Sequence, residues 1–143
     1  MTWTEPDDDA VRNLLRTTRT IGVVGVSPDP LRPSNGVYRY LSSRTDYELY
    51  PVNPMIDDLD GRRVYPDLSA LPVAPDMVDV FRRHDRLRPV LEAAIAVGAK
   101  SIWLQQGLWD EQLARDAEAA GMQVVMDRCL KVEHARLIAT VRD

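Results

Sequence analysis

Cysteine is almost missing from this chain: Cys129 is the only one in 143 residues. A lone thiol cannot close an internal disulfide, so a reducing, cytoplasmic setting is the expectation. Histidine is nearly as scarce, and two histidines with one cysteine leave no ligand set for a dedicated zinc site. No apolar run approaches the roughly 18–20 residues that cross a bilayer. The opening "MTWTEPDDDAV" is acidic where a leader peptide would be basic and then apolar, so no membrane role is expected. Positive charge is not in excess either. The net charge of −4 gives no basic field to attract nucleic acid.

What is present suits a packed core. Hydrophobic residues make up 45% of the chain, and no repeat, linker or low-complexity tract interrupts it, which predicts one domain over 1–143. Of the 18 basic residues 16 are arginine, which reflects either base-composition bias or a supply of guanidinium forks for phosphate.

Along the chain, helical and strand patterns alternate. "TEPDDDAVRNLLRTT" predicts a helix with Thr4 as N-cap, acids in its first turn and Val11, Leu14 and Leu15 on one face. "TIGVVGV" is apolar on both faces, as parallel strands are. Ser34 or Asn35 can cap the next helix, which carries Val37, Tyr40 and Leu41 inward, and "YELYPV" is strand two. "RRVY" reads as a short edge strand three and "DLSAL" as a helical turn; "DMVDVFRR", "KSIWLQ" and "MQVVMD" are strands four, five and six. Leu87, Val90, Leu91, Ala94 and Ile95 repeat at helical spacing before Gly98, and "WDEQLARDAEAAG" is a helix between Asp110 and Gly121. A last helix covers about 132–142. This alternation implies right-handed βαβ units. The predicted fold is a Rossmann-like α/β three-layer sandwich, its mostly parallel sheet in the order 3-2-1-4-5-6, with a crevice where strand four lies beside strand one.

Four segments meet at that crevice: Gly25 to Asn35, "VNP" after strand two, "FRR" after strand four and "QQG" after strand five. Gly25 lets backbone approach a ligand, Ser27 adds a hydroxyl, and Ser34 and Asn35 open a helix whose N-terminal N–H groups favour an anion. Arg32 lies before that helix, and Arg82 and Arg83 approach from the far side as forks for phosphate. A nucleotide with several negative charges fits this set. The alternative is that Gly22 and Gly25 only ease packing while the arginines are solvated. The dinucleotide fingerprint G-x-G-x-x-G is missing. Pro28, Pro30 and Pro33 build a long stiff loop in its place, and Asn53-Pro54 stands where NAD enzymes carry an acid. Both departures argue against NAD and fit a phosphorylated ribose, as in NADP or coenzyme A.

In order, "VVGVSPDPLRPSNGVYRYL", "YELYPVNP", "GRRVYPDLSALP", "MVDVFRR", "GAKSIWLQQG" and "VVMDRCLKVEHARL" resemble the small, stand-alone CoA-binding domain proteins. These are relatives of the Rossmann CoA-binding domain of succinyl-CoA synthetase. The resemblance, over Thr20 to Leu137, implies non-catalytic binding of coenzyme A or an acyl-CoA. It puts Gly25, Val26, Ser27, Arg32 and Ser34 at the phosphates and Asn53 and Pro54 near the adenosine. Phe81, Arg82 and Arg83 then lie along the ligand's path, with the pantetheine arm near Gln106 and Gly107. The larger relatives phosphorylate a histidine in a separate domain; nothing here corresponds to it, so ligase activity is not implied. The implied partner is a small-molecule nucleotide.

Other readings compete. Cys129 and His134 could form a nucleophile–base pair, but His134 shares a helical face with Leu137, Ile138 and Val141, which argues for a packed histidine. His84 lies nearer the crevice without a partner, and reads as surface loop. Asp7 to Asp9 match a helix dipole, and "IDDLDG" lacks the spacing of a calcium loop, so it reads as a solvated turn. Trp103 and Trp109 read equally as core or as contacts of a homo-oligomer. A small NADP-type enzyme and an interaction scaffold without ligand are the alternative functions.

Overall fold

A computed structural model describes residues 3–139. Five strands form one parallel sheet in the order β2-β1-β5-β6-β7: β1 (Thr20–Val24), β2 (Glu48–Val52), β5 (Met77–Val80), β6 (Ser101–Leu104) and β7 (Gln123–Val125). Each of these strands is mostly buried, which explains why they read as unbroken apolar runs. Period-two alternation sends Ile21, Val23, Met77, Trp103 and Val125 to one face. There they meet α1 (Asp8–Thr17), α2 (Pro33–Arg44) and α5 (Leu130–Leu137). Val24, Val78, Val80, Ile102 and Leu104 face α3 (Leu87–Val97) and α4 (Glu111–Ala119) on the other. The result is the three-layer Rossmann-like arrangement. Gly22 keeps the second face close: a Cβ there would lie 3.2 Å from Leu68 in the short 3₁₀ turn Leu68–Ala70.

The chain leaves β1 through α2 toward β2, then crosses back to β5 on β1's other side. This is the switch that opens a crevice at the carboxyl edge, and it follows the predicted order at five positions. The sixth differs. Instead of a third strand in the sheet, β3 (Asp58–Leu59) and β4 (Arg62–Arg63) form an antiparallel ribbon closed by Asp60 and Gly61, both at positive φ. That is the two-residue hairpin turn that Asp-Gly favours, and it pulls Arg62 and Arg63 away from β2. Only Tyr65 reaches the sheet, in a parallel bridge to Val52 with Tyr65 N–H to Pro51 O at 2.9 Å and Asn53 N–H to Tyr65 O at 2.9 Å.

Helix ends obey local chemistry with small departures from expectation. Asp7, not Thr4, caps α1 by accepting from Ala10 N–H at 2.8 Å. α2 begins on Pro33, with Arg32 outside it and no side-chain cap, so neither Ser34 nor Asn35 is the N-cap. Gly98 (φ 79°) closes α3 in the left-handed conformation and Asp110 caps α4 through Leu113 N–H. α5 starts at Leu130, two residues earlier than expected; 140–142, part of the expected helix, lie outside the described residues. Of Trp103 and Trp109, which the sequence left open between core and contact, Trp103 is core and donates to Arg128 O at 2.8 Å. Trp109 is partly exposed and meets Trp3 edge-on at 5.3 Å.

Candidate functional site

Gly25 closes β1 at φ +88° and donates to Val52 O at 2.9 Å. A Cβ on it would collide with the main-chain carbonyl oxygen of Phe81, the residue that follows β5. Phe81 in turn donates to Val24 O at 2.8 Å. The loops after β1 and β5 therefore touch backbone to backbone, and only glycine permits it.

Beyond Gly25 the proline-rich loop is held by its own polar groups. Ser27 Oγ accepts from Asp29 N–H (3.0 Å), Asp29 Oδ1 from Leu31 N–H (2.9 Å) and Asp29 O from Arg32 N–H (3.0 Å). The loop is then fastened to the first turn of α2: Ser27 N–H donates to Ser34 Oγ (3.0 Å) and Asn35 Nδ2 donates to Ser27 O (2.9 Å). The amides of Ser27, Asp29, Leu31 and Arg32 thus have protein acceptors, so positive charge at this loop comes chiefly from guanidinium. Arg32 and Arg82 have side chains without a hydrogen-bond or ion-pair partner among the described residues, while exposed Arg83 lies 3.4 Å from Asp85.

Two cavities of about 590 Å³ each open on the carboxyl edge. The first lies on the α2 and α5 side and takes in Gly25, Ser27, Arg32, Ser34 and Gln106 of the sequence-read set. The second, on the α3 side, takes in Pro54 among apolar neighbours such as Val52, Leu68 and Val90. Phe81, Arg82 and Arg83 line both and form the ridge between them. Three members of the set line neither. Val26 is buried, and its carbonyl accepts from Asn53 Nδ2 at 2.8 Å. Asn53 is spent as a tie between the β1 and β2 loops, since its Oδ1 also takes Met55 N–H at 2.8 Å. Gly107 is exposed at φ +93° and donates to Asp127 Oδ1 at 2.7 Å.

Sequence reasoning brought "QQG" to the crevice without singling out Gln105, and it missed the buried carboxyl behind it. Asp79 sits mid-strand in β5, fully buried, with Oδ1 accepting from Gln105 Nε2 and Oδ2 without a partner among the described residues. Burial pushes its carboxyl up to about 7, against the smaller opposing effect of the Gln105 hydrogen bond. Gln105 lines the first cavity. One charged letter inside the apolar run "MVDV" is the signal that could have singled out Asp79, though nothing local names Gln105 as its partner.

Cys129 also lines the first cavity, ahead of α5. His134 is elsewhere: buried under Tyr40, whose hydroxyl is 3.0 Å from Nδ1, with its basicity lowered by burial. His84 is exposed and bonds Trp109 O through Nε2 at 2.9 Å. Among the described residues no cluster of three His, Cys, Asp or Glu could hold a metal ion, and no helix is long and apolar enough to cross a membrane.

The family described as CoA binding domain matches residues 19–135. YneT of Bacillus subtilis (strain 168) is 35% identical over 130 residues, 91% of this chain and 96% of that protein. A hypothetical protein from Pyrococcus horikoshii OT3 superposes with a TM-score of 0.88 at 34% identity, covering 96% of this chain and 99% of that one. The dinucleotide-forming acetyl-coenzyme A synthetase 1 of Ca. Korarchaeum cryptofilum, in complex with phosphate and ADP, gives a TM-score of 0.71 at 28% identity. That match covers 79% of this chain and 27% of the synthetase chain.

Proposed function

The chain belongs to the CoA binding domain family, and from that premise we propose that it binds coenzyme A or an acyl-CoA along the carboxyl edge of its sheet without transforming it. One observation carries the reading. Arg32 and Arg82, with no protein partner among the described residues, line one cavity with Gly25 and Ser27. Guanidiniums left unpaired beside a concave surface match a phosphorylated ligand in geometry and charge.

The diphosphate lies over Gly25, Val26 and Ser27, gripped by Arg32 with Ser34 beneath. Arg82 and Arg83, on the ridge between the cavities, meet the ligand where it crosses the sheet edge. The adenosine turns toward Asn53 and Pro54, where the second cavity offers apolar walls. The pantetheine arm runs through the first cavity past Phe81 toward Gln106 and Gly107. Binding without catalysis is supported by His134, which is buried against Tyr40 and does not line the cavity that Cys129 lines.

Thermal unfolding with CoA, acetyl-CoA, NAD and NADP tests the proposal. A ligand at 100 times its dissociation constant adds about 2.7 kcal/mol, or roughly 5–10 °C in Tm for a chain of this size. CoA or acetyl-CoA is expected to give that shift. A shift with NADP and none with either CoA species overturns the reading.

A further inference from the structure

The amide of Gln105 has one orientation open to it. Its Nε2 meets Asp79 Oδ1, and its Oε1 accepts the Leu130 N–H at 3.4 Å, at the first residue of α5. The Leu130 N–H only donates, so exchanging the amide's nitrogen and oxygen would set donor against donor there, whether Asp79 is protonated or not. Nε2 carries two hydrogens, and Asp79 takes one. No acceptor among the described residues takes the second, yet Gln105 is only 6% exposed and lines the first cavity. Burying a polar carboxyl mid-strand, with one oxygen unpaired, is costly for a fold that could place an apolar side chain there. The arrangement is intelligible if its product is a fixed N–H donor at the cavity wall.

We propose that Gln105 donates this second amide hydrogen to a carbonyl oxygen of the ligand's arm, with Asp79 as the positioning residue that holds the amide in register. The proposal rests on the reading that the first cavity receives the pantetheine arm of CoA, and it names the polar contact that would recognise that arm. Pantetheine carries two amide carbonyls and an acyl-CoA adds a thioester carbonyl. Adenosine 3′,5′-diphosphate, the nucleotide end of CoA, carries none. Gln105 therefore discriminates between ligands with the arm and ligands without it.

The test is calorimetry of CoA, acetyl-CoA and adenosine 3′,5′-diphosphate against the wild type and two sets of variants. Asp79→Leu with Gln105→Met replaces both partners by apolar side chains of similar size, which keeps the core filled. It should weaken CoA by about 2- to 10-fold, the effect of one neutral hydrogen bond, and leave adenosine 3′,5′-diphosphate as it was. Equal losses for CoA and acetyl-CoA assign the bond to a pantetheine amide, and a larger loss for acetyl-CoA assigns it to the thioester. Asp79→Leu alone should also lower CoA affinity, and Asp79→Asn, which keeps a carbonyl acceptor for Gln105, should recover most of it. Equal effects on all three ligands, or no effect on any, overturn the role of Gln105 while leaving CoA binding intact. A wild type that binds none of the three overturns the functional reading itself.

Discussion

Replacing Gly25 by alanine probes the contact on which the crevice depends. Two terms add. A φ of +88° disfavours any side chain by about 1–2 kcal/mol. The new Cβ also meets the Phe81 carbonyl oxygen, and no rotamer change relieves that overlap because both atoms belong to rigid main chain. Relief requires the two loops to part, which strains both Gly25 N–H to Val52 O (2.9 Å) and Phe81 N–H to Val24 O (2.8 Å). Each such bond contributes about 1 kcal/mol, so the total loss is about 3–4 kcal/mol. With about 2.1 cal/mol/K of unfolding entropy per residue, the chain should melt roughly 10–13 °C lower, read by circular dichroism. Gly107→Ala is the control. Its φ is +93° but no atom lies within 4 Å of the added Cβ, so only the first term acts and Tm should fall by about 3–6 °C. The parted loops should also weaken CoA in the Gly25 variant. Equal melting losses for the two variants would refute the claim that the loops after β1 and β5 are held in contact by the glycine.

Arg32→Ala should leave the apo melt within about 0.5 kcal/mol of wild type, because its guanidinium has no partner among the described residues. CoA binding by the same variant should weaken at least about tenfold, the worth of a charge-assisted hydrogen bond; unchanged affinity in calorimetry removes Arg32 from the site. Asp79 should make stability depend on pH. Its folded value of about 7 lies above the roughly 3.9 of an unfolded aspartate. Between those values the native state keeps a proton that the unfolded chain has lost. The contribution is fully present below about pH 4 and declines by a few kcal/mol as pH rises to 7. Denaturant titrations from pH 4 to 8 should show a flatter profile in Asp79→Asn, and matching slopes count against the buried acid. Gly36→Ala, inside α2 with open space around the added Cβ, should raise stability by about 1 kcal/mol. A lower Tm in that variant contradicts the open space.

The strands were legible because burial on both faces leaves an unmistakable apolar run, and glycine marked the ends of α3 and α4 at Gly98 and Gly121. Edge elements were not. "RRVY" carries β-formers, but its partner was decided by the Asp60-Gly61 turn, whose geometry outweighed the pull of the sheet. The helix after β1 was placed correctly while its chemistry was not: Ser34 and Asn35 hold the preceding loop instead of capping. The cavity arginines could be named from their positions after strands. The pairing of Asp79 with Gln105 could not, since it joins neighbouring strands 26 positions apart and no local pattern records it.

The bridge at Tyr65 bears on more than the fold. In a parallel strand alternate residues turn their amides outward, and on the free side of β2 these are Leu49, Pro51 and Asn53. Proline has no N–H to offer, and Tyr65 occupies the Pro51 carbonyl and the Asn53 amide. Only Leu49 remains for an incoming strand on that side, and at the opposite margin β7 is three residues long. Copies of this protein at high concentration thus find little template for stacking sheet to sheet, a safeguard against fibrous aggregation written into one imino acid and one tyrosine.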